Sequence, residues 1–220
     1  MDVYKTDEEQ AEALKRWLRD NGISLVTGIM LGLAVLFGVK TWNEYGVRSH
    51  EAASNLYLQF QAASGKGLDE AIKQYDTLIK DFSGSEYAVL ASLHMAKLQI
   101  DKGDAKAARA HLQWALDHAQ SEGLKRTARL RLARLLLADG DVDAADKLIA
   151  GSADPSFTTL YEELRGDIAL VRGKFDEAHA AYERALAAMP AELPGRALIE
   201  AKRDDALRGT VAAGPTGKKS

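Results

Sequence analysis

Residues 164–190 read LRGDIALVRGKFDEAHAAYERALAAMP, and this stretch decides the fold. Gly173 separates two segments whose apolar residues recur at helical spacing, which predicts two helices joined by a tight turn. Small residues let the two helices approach closely, aromatic residues fill the space towards the next unit, and a proline ends the second helix. The residues in these roles are Gly166, Phe175, Ala178, Tyr182, Ala185 and Pro190.

The same pattern recurs towards the N-terminus. Turn glycines stand at Gly103, Gly140 and Gly173, at intervals of 37 and 33 residues, which bracket the ~34-residue period of tetratricopeptide repeats. Such a unit alone leaves an apolar face exposed, so the units must stack. Matching positions in the earlier copies hold Ala71, Tyr75, Leu78, Ala108, Leu112, Ala115, Leu132, Ala133, Val142, Ala145 and Ile149. The sequence predicts about four degenerate units over residues 50–190, with an ordinary alanine-rich helical bundle as the alternative.

Cap signals mark the ends of these helices. Asp104 and Asp141 are expected to cap the second helices of their units, and Asp154-Pro155 to open another helix. Residues 196–207 are expected to form one more helix that covers the open end of the stack. Residues 208–220 are polar and glycine-rich, which predicts a disordered tail.

Before the repeats lies an apolar stretch, Ile23 to Val39, which reads ISLVTGIMLGLAVLFGV. Ten of its 17 residues are Leu, Ile, Val or Phe, and together these favour insertion in a bilayer by about 3–6 kcal/mol. The run is apolar all round, which disfavours a buried helix of a soluble protein. Bulky Trp42 and Tyr45 follow it, which disfavours a cleaved signal peptide. We therefore predict an uncleaved transmembrane helix over residues 23–42.

Gly28 and Gly32 within this helix form a GxxxG pair, which is typical of helix packing in membranes. The alternative is that glycine is simply common in membrane helices.

Residues 1–22 are expected to form an amphipathic segment. Thr6 and Glu9 match a capping box, and Asn21-Gly22 is a stop signal. Cations near the ends of the membrane helix set its orientation. Lys15, Arg16 and Arg19 precede the helix, whereas Lys40 and Arg48 follow it. This bias predicts a cytoplasmic N-terminus, with residues 43–207 in the periplasm of a bacterium with two membranes.

Composition and motifs exclude several function classes. The net charge of −3 disfavours nucleic acid as a partner, and the absence of cysteine excludes disulfides and thiolate metal sites. No catalytic, dinucleotide or phosphate-binding motif is present, and we predict no enzyme activity, no cofactor and no metal. The adjacent carboxylates Glu162-Glu163 and Asp204-Asp205 are interpreted as solvated charges. The histidines, interpreted as surface or half-buried residues, are His50, His94, His111, His118 and His179.

The expected binding site is the concave face, which the first helix of each repeat lines. An apolar groove with a few charges suits peptide segments, although the same leucines would also serve as core between repeats. By helical phase the groove residues are Leu90, Leu93, Lys97, Ile100, Leu130, Arg134, Leu137, Leu160, Glu163, Asp167 and Leu170.

A basic run lies on one predicted helix, with leucines between the charges. It is interpreted as a solvated face, and an acidic partner or lipid headgroups are the alternative. Its members are Lys125, Arg126, Arg129, Arg131 and Arg134, with Leu130, Leu132, Leu135 and Leu136 turned inward.

The order of these features resembles the YfgM-type ancillary subunit family of the bacterial SecYEG translocon. The resemblance rests on VYKTDEEQAEALKRWLRDNG, GIMLGLAVLFGVKTW, YAVLASLHMAKLQIDKGD and LRLARLLL, followed by LRGDIALVRGKFDEAHAAYERAL. It covers the chain to about residue 207. It implies a cell inner-membrane protein with a periplasmic repeat domain, placed beside the translocon with a membrane-anchored chaperone of the peptidyl-prolyl isomerase type. It further implies a role in passing on exported client proteins.

The sequence thus predicts an all-α chain with a single transmembrane helix followed by a tetratricopeptide-like helical-repeat solenoid. The favoured function is a non-enzymatic translocon accessory. A membrane-tethered scaffold for another envelope assembly system is an alternative. A further alternative is a regulator that holds a cytoplasmic signalling protein through residues 1–22.

Overall fold

A computed structural model describes the backbone of residues 7–151, 154–190 and 192–213, and the side chains there except at 7–9, 25, 42–45 and 210–213. Every regular element in these ranges is helical, which confirms the all-α class. In chain order the helices are α1 (Asp7–Ser64), α2 (Leu68–Phe82), α3 (Glu86–Asp101), α4 (Ala105–His118), α5 (Glu122–Ala138), α6 (Val142–Ile149), α7 (Thr158–Val171), α8 (Phe175–Ala187) and α9 (Arg196–Ala213). A 3₁₀ turn, Pro155–Phe157, precedes α7.

The chain forms two compact units, Met1–Ala52 and Ala53–Ser220, and α1 contributes residues to both. In the first unit the described apolar side chains of residues 23–39 are exposed, and Leu36 is 67% exposed. Within the described residues, this part of α1 supplies the one helical stretch that is long and apolar enough to cross a membrane. A single membrane anchor therefore accounts for the exposed apolar surface of this stretch.

Both threonine hydroxyls of the anchor helix find hydrogen-bond partners within the helix itself. The Thr27 hydroxyl donates to the Ile23 carbonyl at 2.8 Å, and the Thr41 hydroxyl donates to the Phe37 carbonyl at the same distance. Such internal hydrogen bonds keep hydroxyls compatible with a bilayer.

The predicted helix stop at Asn21-Gly22 is wrong, because α1 runs through both residues. The Asn21 amide donates to the Trp17 carbonyl at 3.1 Å, so the side chain bonds back to its own helix instead of ending it. The capping box of Thr6 and Glu9 and the side chains of Trp42 and Tyr45 lie outside the described residues.

The three turn glycines end α3, α5 and α7 in the same way. Gly103, Gly140 and Gly173 have φ of 81°, 85° and 69°, a left-handed backbone that glycine adopts without strain. The residue after each glycine donates its N–H to a carbonyl five residues earlier, at 2.8–2.9 Å, as in a Schellman motif. Each turn therefore reverses the chain so that the next helix packs antiparallel on the last.

Side-chain caps start the helices that follow. Asp104 accepts a hydrogen bond from the Ala107 N–H at 2.9 Å, and Asp141 accepts one from the Ala144 N–H at 3.3 Å. The Asp154 carboxylate accepts from the Ser156 N–H at 2.8 Å in the 3₁₀ turn. The predicted caps of α4 and α6 are therefore confirmed.

Equivalent positions of the second helices form the core of the stack. An alanine on each is fully buried, at Ala71, Ala108, Ala145 and Ala178. Four residues later each helix buries a large side chain, at Tyr75, Leu112, Ile149 and Tyr182. Small residues at the first position let the paired helices approach, and large ones at the second fill the space to the neighbouring unit. This repetition confirms the repeat solenoid.

Helix α9 covers the end of the stack, where Ile199 and Ala206 are buried against residues of α7 and α8. The helix continues to Ala213, whereas the sequence placed its end at residue 207. The reason is packing: a β-carbon at Gly209 would lie 2.5 Å from two ring carbons of Phe175, so the glycine lets α9 approach that ring closely.

Candidate functional site

The structure places the predicted groove residues on the first helices of three repeats, α3, α5 and α7, but not all of them are accessible. Two leucines are buried in the core and five residues are half-buried; in the second group, Leu137 and Leu170 pack against the core clusters. The buried residues are Leu93 and Leu130, the half-buried ones are Leu90, Leu137, Glu163, Asp167 and Leu170, and the exposed ones are Lys97, Ile100, Arg134 and Leu160.

Four of these residues meet in one cleft between α3 and α5, with a cavity of about 390 Å³. Leu93, Lys97 and Ile100 line it from α3, and Arg134 lines it from α5. The remaining lining residues, which the sequence did not indicate as groove residues, are Ala96, Leu112, Arg131, Leu135 and Ala138. We call this the α3–α5 cleft.

The chemistry of the α3–α5 cleft is an apolar floor under a cationic rim. Six of its nine lining residues are Ala, Leu or Ile, and the other three are Lys97, Arg131 and Arg134. The Lys97 amine donates to Asp101 at 2.5 Å, one turn along the same helix. Arg131 makes no hydrogen bond or ion pair with a described residue. The cleft therefore carries an uncompensated positive charge beside an apolar surface.

A row of ion pairs extends from this cleft to α7 and then to α9, the next two helices that line the same face. The Arg134 guanidinium donates to Glu163 on α7 at 3.1 Å. The Lys202 amine, on α9, donates to Glu163 at 2.7 Å and to Asp167 at 3.0 Å. The Tyr182 hydroxyl donates to Asp167 at 2.7 Å. Neighbouring repeats are therefore joined by charge as well as by apolar contact.

The ionisation of this network is shifted by its partners. Burial disfavours the charged form of Lys202, but the hydrogen bonds to Glu163 and Asp167 outweigh burial and raise the pKa of its amine. Burial, then the hydrogen bond to Asp167, raises the pKa of the Tyr182 hydroxyl. Both groups therefore keep their protons at neutral pH and act as fixed donors to the two carboxylates.

Sequence reasoning missed Lys202 as a member of this face. It treated the helix from residue 196 only as a cap on apolar surface. The available signal was position: α9 follows α8 as each first helix follows the second helix before it. A polar residue on α9 is therefore a candidate for the concave face in the same way as Glu163 on α7.

The interpretation of Glu162-Glu163 as solvated charges is wrong. Glu162 is 7% exposed, and the Arg184 guanidinium donates to it at 2.8 Å while Arg165 pairs with it along α7. The two side chains point to different neighbours, Glu162 towards α8 and Glu163 towards α5 and α9. Each carboxylate is held by arginine or lysine, so neither is placed as one half of an acid–base pair.

The basic run on α5 divides between two surfaces. Leu130, Leu132, Leu135 and Leu136 are buried, as the interpretation required. Arg126 pairs with Asp154 at 2.9 Å. Arg131 and Arg134 face the α3–α5 cleft.

Two histidines are half-buried beside aromatic rings. His94 meets the ring of Phe60 edge-on with centroids 5.2 Å apart, and His111 lies within 3.2 Å of the Tyr75 hydroxyl. Burial, and then the charge of Lys97, lowers the pKa of His94, and burial lowers the pKa of His111. In the part of the chain that the structure describes, no three His, Asp or Glu residues are grouped to hold a metal ion.

A family model for a tetratricopeptide repeat-like domain matches residues 15–208. The ancillary SecYEG translocon subunit of Escherichia coli (strain K12) is 32% identical to this chain over 183 residues, which cover 83% of the chain and 88% of that relative. The ancillary SecYEG translocon subunit of Haemophilus influenzae is 30% identical over 186 residues, with 83% and 90% covered. That of Neisseria gonorrhoeae is 25% identical over 206 residues, with 93% and 99% covered. The chain therefore belongs to the family of ancillary SecYEG translocon subunits, with a tetratricopeptide repeat-like domain over most of its length.

Proposed function

We propose that this protein is a non-enzymatic accessory subunit of the SecYEG translocon in the cell inner membrane. The observation that carries the proposal is the extent of the family match, residues 15–208, which takes in both the apolar helix and the whole repeat stack. The relatives that match most of this chain are named as ancillary subunits of that translocon. The proposal thus rests on an anchor and a binding domain together, not on a repeat alone.

In the proposed topology the N-terminus is cytoplasmic and the repeat domain is periplasmic. Lys15, Arg16 and Arg19 lie on the N-terminal side of the anchor, against Lys40 and Arg48 on the other side. Cations close to the ends of a membrane helix are retained in the cytoplasm more readily than they cross the membrane.

The proposed role is to link the channel to proteins that act on newly exported chains. The anchor helix would contact translocon subunits within the bilayer. The repeat domain would bind a membrane-anchored chaperone of the peptidyl-prolyl isomerase type and exported client proteins. The α3–α5 cleft and the row of ion pairs beside it offer apolar and charged groups on one face, which suits protein segments.

Site-specific photocrosslinking in living cells tests this proposal. A photoreactive residue at Gly28, Leu31 or Leu36 samples the exposed surface of the anchor, and we expect adducts with SecY, SecE or SecG. The same residue at the exposed position Lys106 of α4 is the control and should give no adduct with the membrane-embedded part of the channel. If gentle-detergent purification and crosslinking both recover no translocon subunit, the proposal fails.

The same experiment separates the alternatives. Adducts with a wall-synthesis or outer-membrane assembly component in place of SecY would indicate a scaffold for that system. For the regulator alternative, deletion of residues 1–22 with the anchor retained should change a signalling output, and an unchanged output would exclude it.

A further inference from the structure

An apolar cavity and an uncompensated positive charge meet in the α3–α5 cleft. Its cavity of about 390 Å³ lies over Leu93, Ala96, Leu112 and Leu135. Pockets that bind small molecules start near ~300 Å³. A cavity of this size therefore has room for one or two large apolar side chains of a partner, but not for the surface of a whole folded domain. Ile100, which is 48% exposed, forms an apolar wall at its edge.

The rim of the cleft selects the charge of the occupant. None of its nine lining residues is acidic. Lys97 is neutralised by Asp101, and Arg134 and Lys202 are balanced by Glu163 and Asp167. Arg131, three residues before Arg134 on α5, has no ion-pair partner among the described residues. An occupant with a carboxylate next to its apolar group would supply that partner.

We propose that the α3–α5 cleft binds a polypeptide segment of a partner protein that carries a bulky apolar side chain next to an aspartate or glutamate, with the apolar side chain in the cavity and the carboxylate on Arg131. This proposal deepens the proposed function by naming the class of ligand that the repeat domain takes. A polypeptide is favoured over a lipid because the polar face continues beyond the cavity, through Glu163 on α7 to Lys202 on α9. A segment that runs across the first helices meets this whole row, whereas a lipid uses the cavity alone.

The chain's own C-terminal residues do not fit this description. Residues 208–220, RGTVAAGPTGKKS, contain three cations and no acidic residue. They would place like charge against Arg131, which disfavours binding.

The test measures binding of a fluorescein-labelled peptide, Gly-Ser-Asp-Leu-Phe-Asp-Ser-Gly, to the full chain in detergent by fluorescence anisotropy. Two matched peptides replace both aspartates by lysine, or Leu-Phe by Ala-Ala. We expect the aspartate peptide to bind most tightly, with each matched peptide at least about tenfold weaker, a difference of about 1.4 kcal/mol. Equal binding of all three peptides would overturn the proposal.

Substitutions assign the binding to the cleft. Arg131→Glu should weaken the aspartate peptide about tenfold and tighten the lysine peptide, since the rim charge is reversed. Ile100→Asp should weaken the aspartate peptide through both lost apolar contact and repulsion. The controls make the same changes at exposed positions elsewhere, Lys106→Glu on α4 and Val171→Asp at the end of α7, and should bind as the unaltered chain does. Wild-type binding by both cleft variants would overturn the proposal.

Two further measurements complete the test, one with a lipid competitor and one of binding to the translocon. Short-chain phosphatidylglycerol and unlabelled peptide are compared as competitors of the labelled peptide. If the lipid displaces the labelled peptide at the lower concentration, the cleft is a lipid site and the polypeptide assignment is overturned. Recovery of SecY with the full chain is measured separately. Loss of peptide binding with retained SecY would remove only this inference, whereas absence of SecY from the unaltered chain would remove the proposed function.

Discussion

The ring of Tyr182 on α8 lies directly against the α-carbon of Gly166 on α7. A β-carbon at residue 166 would stand 2.7 Å from the Cδ1 and Cζ atoms of that ring, closer than real β-carbon contacts. The ring has no room to withdraw, because Tyr182 is fully buried and its hydroxyl is tied to Asp167 at 2.7 Å. Gly166 thus sets how closely the two helices of the last repeat approach.

Gly166→Ala is therefore expected to destabilise the repeat domain although alanine favours helix. Overpacking of a dense core typically lowers the free energy of unfolding by about 1–3 kcal/mol, which exceeds the helix-propensity gain of up to ~1 kcal/mol. Urea unfolding of the full chain in detergent, followed by helical circular dichroism, measures the change. Gly123→Ala in α5 is the matched control, because a β-carbon there meets nothing within 4 Å. An equal or greater stability of the Gly166 variant would contradict the packing argument.

The repeat pattern was visible in the sequence because each role needs a distinct residue type. Only glycine takes the left-handed turn at Gly173 without strain, and only glycine leaves room for the Tyr182 ring at residue 166. The size and backbone freedom of a residue are properties of its own type, so they can be recognised in the sequence without knowing which residues it contacts. The helical pairs, their turns and the buried residues could therefore be predicted before any contact was known.

Partnerships between helices were not visible in this way. Glu162 and Glu163 are neighbours with the same side chain, yet each meets a different set of cations. Their environments depend on helices that lie 20 to 40 residues away in sequence, as with Lys202, which is 39 residues from Glu163. Helical phase placed Leu93 and Ile100 in the α3–α5 cleft, but the other four apolar lining residues and the unpaired state of Arg131 followed only from the arrangement of the neighbouring helices.

Alkaline pH should destabilise the repeat domain through Tyr182 and Lys202. The pKa of Tyr182 is raised above its ordinary 10.0 and that of Lys202 above its ordinary 10.5. Above those ordinary values the unfolded chain releases protons that the folded chain keeps, so stability is complete at lower pH and falls as pH rises. Urea unfolding at about pH 9 and about pH 11 measures the loss.

Tyr182→Phe isolates the contribution of Tyr182. It keeps the ring against Gly166 but removes the hydrogen bond to Asp167, so we expect a loss of about 0.5–1.5 kcal/mol at neutral pH. It also removes a group that ionises, and the further loss at alkaline pH should become smaller. An alkaline loss as large as that of the unaltered chain would show that Tyr182 does not contribute to it.

Mild acid should destabilise the same domain through His94 and His111. The pKa of each is lowered from its ordinary 6.5, mainly by burial. As pH falls below that value the unfolded chain binds protons that the folded chain does not, so stability is lost towards acid and is complete above it. His111→Gln should reduce the loss of stability between about pH 7 and about pH 5. His50→Gln, at an exposed position, should leave it in place, and equal slopes for both variants would contradict the assignment.

The orientation of the anchor is expected to follow from three cations on one side of it. Alkaline phosphatase, which is active only after export to the periplasm, reports the location of the C-terminus when fused there. We expect an active fusion, because Lys15, Arg16 and Arg19 resist transfer across the membrane more than Lys40 and Arg48 do. Changing those three to glutamine should lower the exported fraction, since the charge bias is then reversed. The control replaces three cations that lie further from the anchor in sequence, Lys66, Lys73 and Lys80. An inactive fusion on the unaltered chain would place the repeat domain in the cytoplasm and remove its access to exported proteins.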